Sequence, residues 1–444
     1  MCVAISNSRD DNGEYYDVYG IEVNTKKGKE KVEMINKGII PIKTNDRNLL
    51  DKFEDSYKRG NLKASVSPET YKDADIVIVD INLDVKNLEN KPNINFDNFN
   101  SAILTLGQNV SQECLIIVET TVPPGTTEEI IYPTLLCELK KRFPSIKRIN
   151  LAHSYERVMP GKNYLNSITN FWRVFSGIDD ISAELCKSFL KTFIDYKNYP
   201  LSQLSNPRSS ETAKILENSY RASNIAFINE WTIFAQEIGI DLYEILEAIK
   251  IRPTHNNIMK PGLGVGGYCL TKDPSMGEIS AKQIYKKDSL KFPISLKALA
   301  INRSMPNNII NLIKNNSLDL KENLSILVLG LTYLADIDDI RSSPSIELIK
   351  RCESKNWIVD SHDPMISKNK KIKFQSKLNL PDPKDYDFIV LTVGHDYYKQ
   401  LDWIKWLNGF NGILIDSNNI LNNRILFKLK NLKIKILKVG RGDL

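Results

Sequence analysis

The first third of the chain alternates short apolar runs with amphipathic stretches. Val18 to Val23, Asp75 to Ile81 and Leu115 to Glu119 are apolar runs rich in β-branched residues, and Lys26 to Asn36 has helical periodicity. A weaker apolar run follows at Arg148 to Ala152. Apolar runs of this length, separated by helical stretches, predict a parallel, doubly wound sheet.

The middle of the chain has a different pattern. From Ser210 to Ile249 there is no proline and no strand signal, and apolar residues recur at helical spacing. This spacing predicts one long helix, or two helices in succession, that form a connection between domains or a dimer interface. The polar residues Ser209, Ser210 and Glu211 are suited to capping its start.

The last third returns to the alternating pattern. Strands are predicted at Leu324 to Gly330, Trp357 to Asp360, Phe388 to Val393 and Gly412 to Asp416, and a helix is predicted at Pro344 to Glu353. These elements indicate a second Rossmann-like unit.

Together these patterns divide the chain into three parts. The 444 residues are too many for one ordinary hydrophobic core. We predict an α/β protein in which two Rossmann-like parallel-sheet domains, 1–205 and 320–444, are joined by a central helical domain, 206–305. A lysine-rich segment in the last part, Ser367 to Lys377, is expected to be a solvated loop.

Composition and charge limit the partners only weakly. The net charge of +6 is mild, and a polyanionic small ligand suits it as well as nucleic acid does. No apolar run approaches the roughly 20 residues that span a bilayer, and the first residues lack a signal pattern. We therefore expect a cytoplasmic protein without membrane or nucleic-acid partners. The six cysteines and four histidines show no ligand spacing, so neither a metal site nor a disulfide framework is expected.

The strongest chemical signal is the segment Pro261 to Pro274, PGLGVGGYCLTKDP. Its glycines formally match G-x-G-x-x-G, but the polar run Arg252 to Lys260 precedes them where a dinucleotide fingerprint needs a buried strand. Cys269 is followed by Lys272 and Asp273, which places a thiol beside a cation that favours the thiolate. From residue types alone, a flexible loop with an incidental cysteine remains open.

This segment resembles the active-site loop of the UDP-glucose and UDP-N-acetylhexosamine dehydrogenases, P-G-x-G-x-G-G-x-C-x-x-K-D. The resemblance implies a UDP-sugar substrate, NAD as the cofactor and four-electron oxidation of the sugar C6 hydroxyl to a carboxylate. It makes Cys269 the nucleophile that captures the aldehyde as a thiohemiacetal and then carries a thioester. It implies that Asp273 positions or activates the hydrolytic water and that Lys272 contacts the cofactor. The glycines implied to contact substrate are Gly262, Gly264, Gly266 and Gly267.

Two strand ends resemble further motifs of the same family. Glu119 to Thr127, ETTVPPGTT, resembles S-T-V-P-x-G-T-T, which implies that Thr121 lies near the nicotinamide and the catalytic water. Thr126, with Glu129 three residues later, predicts a capping box that opens a helix. Ser154 to Gly161, SYERVMPG, resembles S-P-E-R-V-x-P-G, which makes Glu156 the acid–base residue and leaves a tyrosine at position 155 in place of proline.

The helical middle also matches the family. Glu211 to Glu230 resembles E-x-A-K-x-x-x-N-x-x-x-A-x-x-I-x-x-x-N-E. Lys214 and Asn218 are four residues apart and therefore share a helix face. A lysine and an amide directed at one point can stabilise an oxyanion, and the resemblance implies this role for both residues.

The last part carries the motif of the UDP-binding domain. Gly330 to Leu348 resembles G-L-x-Y/F-K-x-D-x-D-D-x-R-E-S-P, which implies that Arg341 makes a bidentate contact to the anionic ligand. The expected lysine is replaced by Leu334, which removes a substrate-contacting cation. His395, in VGHDYY, is a weak indication of the UDP-N-acetylhexosamine branch, or it is structural.

The opening of the chain departs from the family pattern. Met1 to Ile5 resembles the interior of the first helix, and Val18 to Val23 the second strand, with Glu22 placed to bind the adenosine ribose hydroxyls. A carboxylate there favours NAD over NADP. The first strand and the glycine-rich pyrophosphate loop are therefore expected to be missing from the sequence as given. Two explanations stay open: a start that lies further upstream, or a shortened chain with an impaired NAD site.

The resemblance also implies partners and a leading function. The family commonly pairs through its central helix, so a homodimer is expected, in which Arg252 reaches a neighbouring subunit's ligand. The leading substrate is a UDP-N-acetylhexosamine, whose uronate would feed polysaccharide biosynthesis, and UDP-glucose is the nearest alternative. A non-catalytic nucleotide-sugar-binding protein is a second hypothesis, motivated by the expected loss of the glycine loop and by Leu334. A two-electron 3-hydroxyacid dehydrogenase is a third, and Cys269 argues against it.

Overall fold

The computed structural model describes residues 1–42, 44–88, 91–317, 323–366 and 376–444. They form two compact units: Met1–Glu217 with Ser275–Lys291, and Asn218–Pro274 with Phe292–Leu444. The solvated loop expected at Ser367 to Lys377 lies outside the described residues except for Ser376–Lys377, which form a short strand instead.

The helices and strands have the following bounds in the described residues. The strands are β1 (Val18–Ile21), β2 (Leu62–Ser65), β3 (Ile76–Val79), β4 (Val85–Lys86), β5 (Asn93–Ile94), β6 (Leu115–Val118), β7 (Asn150–Tyr155), β8 (Val174–Gly177), β9 (Ser202–Gln203), β10 (Ser325–Leu329), β11 (Ile358–His362), β12 (Ser376–Lys377), β13 (Phe388–Leu391), β14 (Ile413–Asp416) and β15 (Lys435–Lys438). The α-helices are α1 (Cys2–Ser6), α2 (Lys26–Asn36), α3 (Arg47–Arg59), α4 (Asp97–Asn109), α5 (Tyr132–Arg142), α6 (Asn166–Thr169), α7 (Asp180–Phe193), α8 (Pro207–Ile238), α9 (Leu242–Lys250), α10 (Met276–Ile279), α11 (Pro293–Ser304), α12 (Pro306–Asn316), α13 (Pro344–Glu353), α14 (Asp396–Gln400), α15 (Trp403–Trp406) and α16 (Asn423–Asn431).

The first unit contains a mostly parallel sheet, as predicted. Its described strands run in the order β3-β6-β7-β8-β9, with β3, β6 and β7 parallel and β8 antiparallel to β7. β1 and β2 pair in parallel in a sheet of their own. Ile116 and Val118 of β6 pack with α4 and α5, whereas Leu115 and Ile117 pack with α7. Burial of both faces explains why this strand is apolar throughout.

The predicted helical middle is two helices in succession, α8 and α9. The cap predicted at residues 209–211 is wrong, because α8 already begins at Pro207. Asn206 Oδ1 accepts a hydrogen bond from the Ser209 N–H at 2.9 Å, and proline suits a first helical turn. α8 ends before Gly239, which has φ +78°, and Asp241 caps α9.

The second unit contains a fully parallel sheet. Its described strands run in the order β12-β11-β10-β13-β14-β15. Numbered within the sheet, this is the 3-2-1-4-5-6 order of a Rossmann fold, and the chain reverses direction between β10 and β13. The predicted helix matches α13, which Ser343 caps. Ligands of such sheets bind at the reversal point, so the segments after β10 and β13 flank the expected crevice.

One further property concerns membranes. Among the helices in the part of the chain that the structure describes, none combines the length and the apolar character needed to cross a bilayer.

Candidate active site

The glycine-rich loop that carries Cys269 packs closely on the segment after β10. A Cβ atom on Gly266 would lie 2.6 Å from Tyr333 Cβ and 2.9 Å from Pro344 Cδ. Gly267 has φ +84°, and a Cβ there would lie 2.8 Å from the Tyr333 ring. Only glycine fits such contacts without displacing its neighbours, so the glycine backbone of the loop packs directly on side chains of the segment.

The other two glycines of the motif also face protein atoms. A Cβ on Gly262 would lie 2.6 Å from Asn418 Oδ1, and one on Gly264 would lie 2.4 Å from the Asn302 carbonyl oxygen. Asn302 is itself buried and accepts a hydrogen bond from Asn229 at 3.0 Å. The start of the loop is thereby fixed against the segment that follows β14 and against α11.

Cys269 and Asp273 lie on one tight turn. The carbonyl oxygen of Cys269 accepts hydrogen bonds from the N–H groups of Lys272 and Asp273 at 3.1 and 2.9 Å. Cys269 is exposed, whereas the Asp273 side chain is fully buried. Lys272 Nζ lies 2.8 Å from Asp273 Oδ1, and Asn218 Nδ2 donates to Asp273 Oδ2 at 2.7 Å. Both carboxylate oxygens of Asp273 are therefore held in place, on the same turn that carries the accessible Cys269.

Tyr268 links this turn to Arg341. Its ring centre lies 4.4 Å from Lys272 Nζ and 5.3 Å from the Arg341 guanidinium carbon. The Arg341 carbonyl oxygen accepts the Gly267 N–H at 3.0 Å. Hydrogen bonds from Arg341 to Asp339 raise the pKa of Arg341, and Cys269 lies near enough to add to that shift. The structure thus places Arg341 beside the Cys269 loop, although the two belong to separate motifs in the sequence.

In the first unit, Thr121 and Glu156 follow neighbouring parallel strands. Because β6 and β7 are parallel, the two residues lie at the same edge of the sheet. Lys214 Nζ donates to the Glu156 carbonyl oxygen at 2.6 Å, and the Lys214 side chain is largely buried. The Glu156 carboxylate accepts the N–H of Val158. The structure therefore brings Lys214 and Glu156 together.

The domains of one protein family match most of the chain. The NAD-binding domain of the UDP-glucose/GDP-mannose dehydrogenase family matches residues 14–194, its central domain residues 208–304 and its UDP-binding domain residues 327–423. A UDP-N-acetyl-D-mannosamine dehydrogenase from Methanocaldococcus jannaschii is 32% identical over 433 residues, which cover 96% of this chain and 92% of that protein.

The chain belongs to the UDP-glucose/GDP-mannose dehydrogenase family. It is an NAD-dependent nucleotide-sugar dehydrogenase with a UDP-binding domain. A UDP-N-acetyl-D-mannosamine dehydrogenase from Methanococcus vannielii is 34% identical over 337 residues, 73% of this chain and 71% of that protein. The solved UDP-D-ManNAc dehydrogenase of Pyrococcus horikoshii has a TM-score of 0.80 at 24% identity and covers 100% of this chain and 96% of its own, which shows a shared fold.

The residues after β1 suit the NAD of this dehydrogenase. Glu22 directly follows β1, and Thr25 caps α2 by accepting the Gly28 N–H at 3.1 Å. A carboxylate at the end of a parallel strand is the group that binds ribose hydroxyls in such folds. Glu22 is partly exposed and forms an ion pair with Lys31 of α2. Among the described residues, no group of three or more His, Cys, Asp or Glu side chains could hold a metal ion.

His395 of the dehydrogenase lies in a buried hydrogen-bond network. It is fully buried, with Nε2 3.1 Å from Asp363 Oδ2 and Nδ1 accepting the Asp336 N–H at 2.9 Å. Because Nδ1 is an acceptor, the ring proton belongs on Nε2. Burial by itself would raise the pKa of Asp363, but His395 and backbone N–H groups outweigh this effect and lower the pKa. This network fixes the segment after β10, on which Leu334 is exposed.

Arg252 was predicted to contact a ligand of the neighbouring subunit. It is exposed, at the start of a 3₁₀ turn, Pro253–His255, that follows α9.

The contacts of the Glu211 side chain were not predicted from the sequence. Its carboxylate accepts the N–H of Gly125 at 2.5 Å and that of Thr127 at 2.8 Å. The predicted capping box is wrong, because Thr126 Oγ1 instead donates to the Pro123 carbonyl oxygen at 2.5 Å. Glu211 supplies from α8 the acceptors that a cap would have supplied. Burial raises the pKa of Glu211 to about 8, although these hydrogen bonds act to lower it.

Two further buried polar contacts support the same edge of the first sheet. His153 Nδ1 lies 2.7 Å from Ser210 Oγ, and burial together with the charge of Lys214 lowers the pKa of His153 to about 3. Arg173 and Glu119 form a buried ion pair at 2.5 Å. Burial raises the pKa of Glu119 although the charge of Arg173 opposes this shift.

Proposed function

We propose that the dehydrogenase oxidises the C6 hydroxyl of UDP-N-acetyl-D-mannosamine to a carboxylate in two successive two-electron steps. The relatives from Methanocaldococcus jannaschii and Methanococcus vannielii are both named for this substrate. The observation that carries the proposal is the tight turn that joins an exposed Cys269 to a buried Asp273, whose two carboxylate oxygens are held by Lys272 and Asn218. This turn packs on the segment at the reversal point of the UDP-binding sheet.

Cys269 retains the sugar between the two oxidations. NAD, when bound, accepts a hydride from C6 in each of them. Cys269 attacks the aldehyde left by the first oxidation, and the new C–S bond gives a thiohemiacetal that still carries a hydrogen on C6. Loss of that hydrogen as hydride leaves a thioester. Addition of water then breaks the C–S bond, releases the thiolate and gives the uronate.

The remaining candidates have separate roles in this scheme. Asp273 positions the hydrolytic water, and its rigid hydrogen bonds suit it to this task. Glu156 transfers protons, and Thr121 lies near the water. Lys214 and Asn218 stabilise the oxyanion that forms at C6. Lys272 and Glu22 contact NAD, Arg341 contacts the diphosphate, Arg252 reaches the ligand of a neighbouring subunit, and the glycines Gly262, Gly264, Gly266 and Gly267 contact the sugar nucleotide.

The scheme also assigns the three parts of the chain. Residues 1–205 bind NAD, 206–305 carry the catalytic turn and the dimer interface, and 320–444 bind UDP. We place the enzyme in the cytoplasm, where its uronate feeds polysaccharide synthesis.

An exposed apolar face supports a homodimer. Phe227, Trp231, Phe234 and Ile238 of α8 recur at helical spacing and are each about half exposed. Ile249 of α9 is also exposed in the same unit. Exposed apolar patches of this kind commonly mark protein–protein interfaces, and two copies can bury such a face against each other symmetrically.

The test is a panel of UDP-sugars assayed for NADH and for uronate. We expect two NADH for each UDP-N-acetyl-D-mannosamine consumed, and slower turnover of UDP-glucose. Cys269→Ser is expected to reduce uronate formation by at least about 100-fold. Cys137→Ser, at another exposed cysteine, is the matched control and keeps the wild-type rate. Uronate formation at an unchanged rate by Cys269→Ser, or UDP-sugar binding without NADH, contradicts the proposal.

A further inference from the structure

Tyr155 occupies the position at which the family motif has proline. It is the last residue of β7 and is 1% exposed. Its hydroxyl accepts a hydrogen bond from Arg157 Nη2 at 3.2 Å. A buried tyrosine normally has a polar partner for its hydroxyl, and Arg157 is such a partner here.

Two cations lie over the Tyr155 ring. Lys214 Nζ is 5.2 Å from the ring centre, and the Arg157 guanidinium carbon is 5.1 Å from it. Both distances fall within the roughly 6 Å at which an aromatic face attracts a cation. A proline at position 155 could not supply this attraction.

The hydrogen bonds of Lys214 and Arg157 show why the ring matters. Lys214 donates to the Glu156 carbonyl oxygen at 2.6 Å, so its hydrogen bond goes to a neutral group rather than to a carboxylate. Arg157, in contrast, is ion-paired with Glu217 at 2.8 Å. Of the two carboxylates three residues from Lys214 along α8, Glu217 is therefore engaged by Arg157, and Glu211 accepts backbone N–H groups. The charge of Lys214 also helps to keep His153 neutral.

We propose that Tyr155 is a positioning residue for Lys214: its ring and the neighbouring Glu156 carbonyl oxygen together hold the ammonium group at the end of β7. The inference rests on the catalytic role proposed for Lys214. In this proposal, the tyrosine that replaces the proline of the family motif fixes the position of the Lys214 ammonium group.

The test compares variants that keep or remove the ring. Tyr155→Phe retains the ring and is expected to keep kcat within about 2-fold. Tyr155→Leu and Tyr155→Met remove it and are expected to lower kcat by about 3- to 30-fold, with KM for the UDP-sugar little changed. Tyr71→Leu, which removes a ring from the packing of the same unit, is the matched control and is expected to lower Tm without changing kcat.

A second measurement separates the ring's attraction for the cation from its packing. Phenylalanine analogues with increasing fluorination at position 155 nearly preserve the shape but weaken the attraction of the ring for a cation. We expect kcat to fall stepwise along this series at constant Tm. A flat series, or full activity of the folded Leu and Met variants, overturns the inference.

Lys214→Ala distinguishes failure of this inference from failure of the proposed function. If Lys214 is catalytic, Lys214→Ala loses most activity, and adding Tyr155→Leu has no further effect on kcat. If Lys214→Ala is fully active, the role proposed for Lys214 is wrong. If Lys214→Ala is impaired and Tyr155→Leu lowers kcat equally with and without Lys214, only the role of Tyr155 is wrong.

Discussion

The amide nitrogen of Asn218 donates a hydrogen bond to Oδ2 of Asp273 at 2.7 Å, across 55 residues of sequence. Because Lys272 holds the other carboxylate oxygen, Asp273 cannot rotate freely. A buried carboxylate fixed at both oxygens is pre-organised to orient a water molecule without reorganising during the reaction.

Asp273→Asn is expected to slow the hydrolysis of the thioester more than its formation. The isosteric amide preserves the volume of the side chain but lacks the negative charge that orients water. We expect kcat to fall by about 100- to 1,000-fold while a burst of NADH persists. Stopped-flow absorbance measures the burst, and intact-protein mass spectrometry detects the sugar on Cys269. Asp288→Asn, at an exposed position, is the control. Full turnover by Asp273→Asn would exclude a role in hydrolysis.

Gly267→Ala is expected to destabilise the protein and to impair turnover. At φ +84° an alanine is strained, and its Cβ would lie 2.8 Å from the Tyr333 ring. Gly13 has a similar φ, +82°, with no atom within 4 Å of such a Cβ, so Gly13→Ala measures the backbone strain alone, about 1 kcal/mol. The loss in free energy of unfolding, measured with denaturant, should be about 1 to 3 kcal/mol larger for Gly267→Ala than for Gly13→Ala. Equal losses in the two variants would show that the contact with Tyr333 is unimportant.

Glu211→Gln is expected to change how stability depends on pH. Burial raises the pKa of Glu211 from an ordinary 4.5 to about 8. A carboxyl group whose pKa is raised on folding stabilises the fold at low pH, and this contribution is lost as the pH rises through the folded pKa. Between pH 5 and 9 the wild-type Tm should therefore fall by about 5 °C or more relative to that of Glu211→Gln.

Glu33→Gln is the control for that titration. Glu33 is exposed, and its hydrogen bond to Lys37 lowers its pKa below the ordinary value. Its charge is therefore constant over the same pH range, and the Tm difference from wild type should be flat. If the Glu211→Gln curve is also parallel to wild type, Glu211 does not titrate in this window.

Trp231→Glu is expected to dissociate the proposed dimer. A charge in the centre of an apolar interface is left without a partner, and loss of a buried tryptophan commonly costs 2 kcal/mol or more, or at least about a 30-fold rise in Kd. Light scattering coupled to size exclusion measures the mass. Phe427→Glu, at an apolar residue of α16 that is 67% exposed, should leave the dimer intact. A wild-type protein that is monomeric at micromolar concentration would contradict the proposal.

Local patterns predicted the elements well. α2 and α13 have the predicted bounds, and the strands β3, β6, β10 and β13 lie inside the predicted apolar runs. Helical periodicity and apolar runs depend on neighbouring residues, so a local reading captures them. The choice between one and two helices in the middle could not be made locally, since it depends on the break at Gly239.

Contacts between residues that are far apart in the sequence could not be predicted from local patterns. Thr126 looked like a cap, but Glu211, 86 residues from Gly125, supplies the acceptors instead. The family motifs named Asn218 and Asp273 without their mutual hydrogen bond, and they named Tyr155 only as a departure. Each of these outcomes depends on which side chains the fold places together, and spacing along the chain contains no such information.

The packing of Gly266 and Gly267 on Tyr333 has a consequence for the length of the substrate. The thiol and the crevice of the C-terminal sheet lie in one compact unit, and the close packing of the two glycines on Tyr333 fixes the separation between them. A nucleotide sugar must therefore span that separation for its C6 atom to reach sulfur. We expect a sugar joined through a single phosphate to fall short of Cys269, whatever the identity of its hexose.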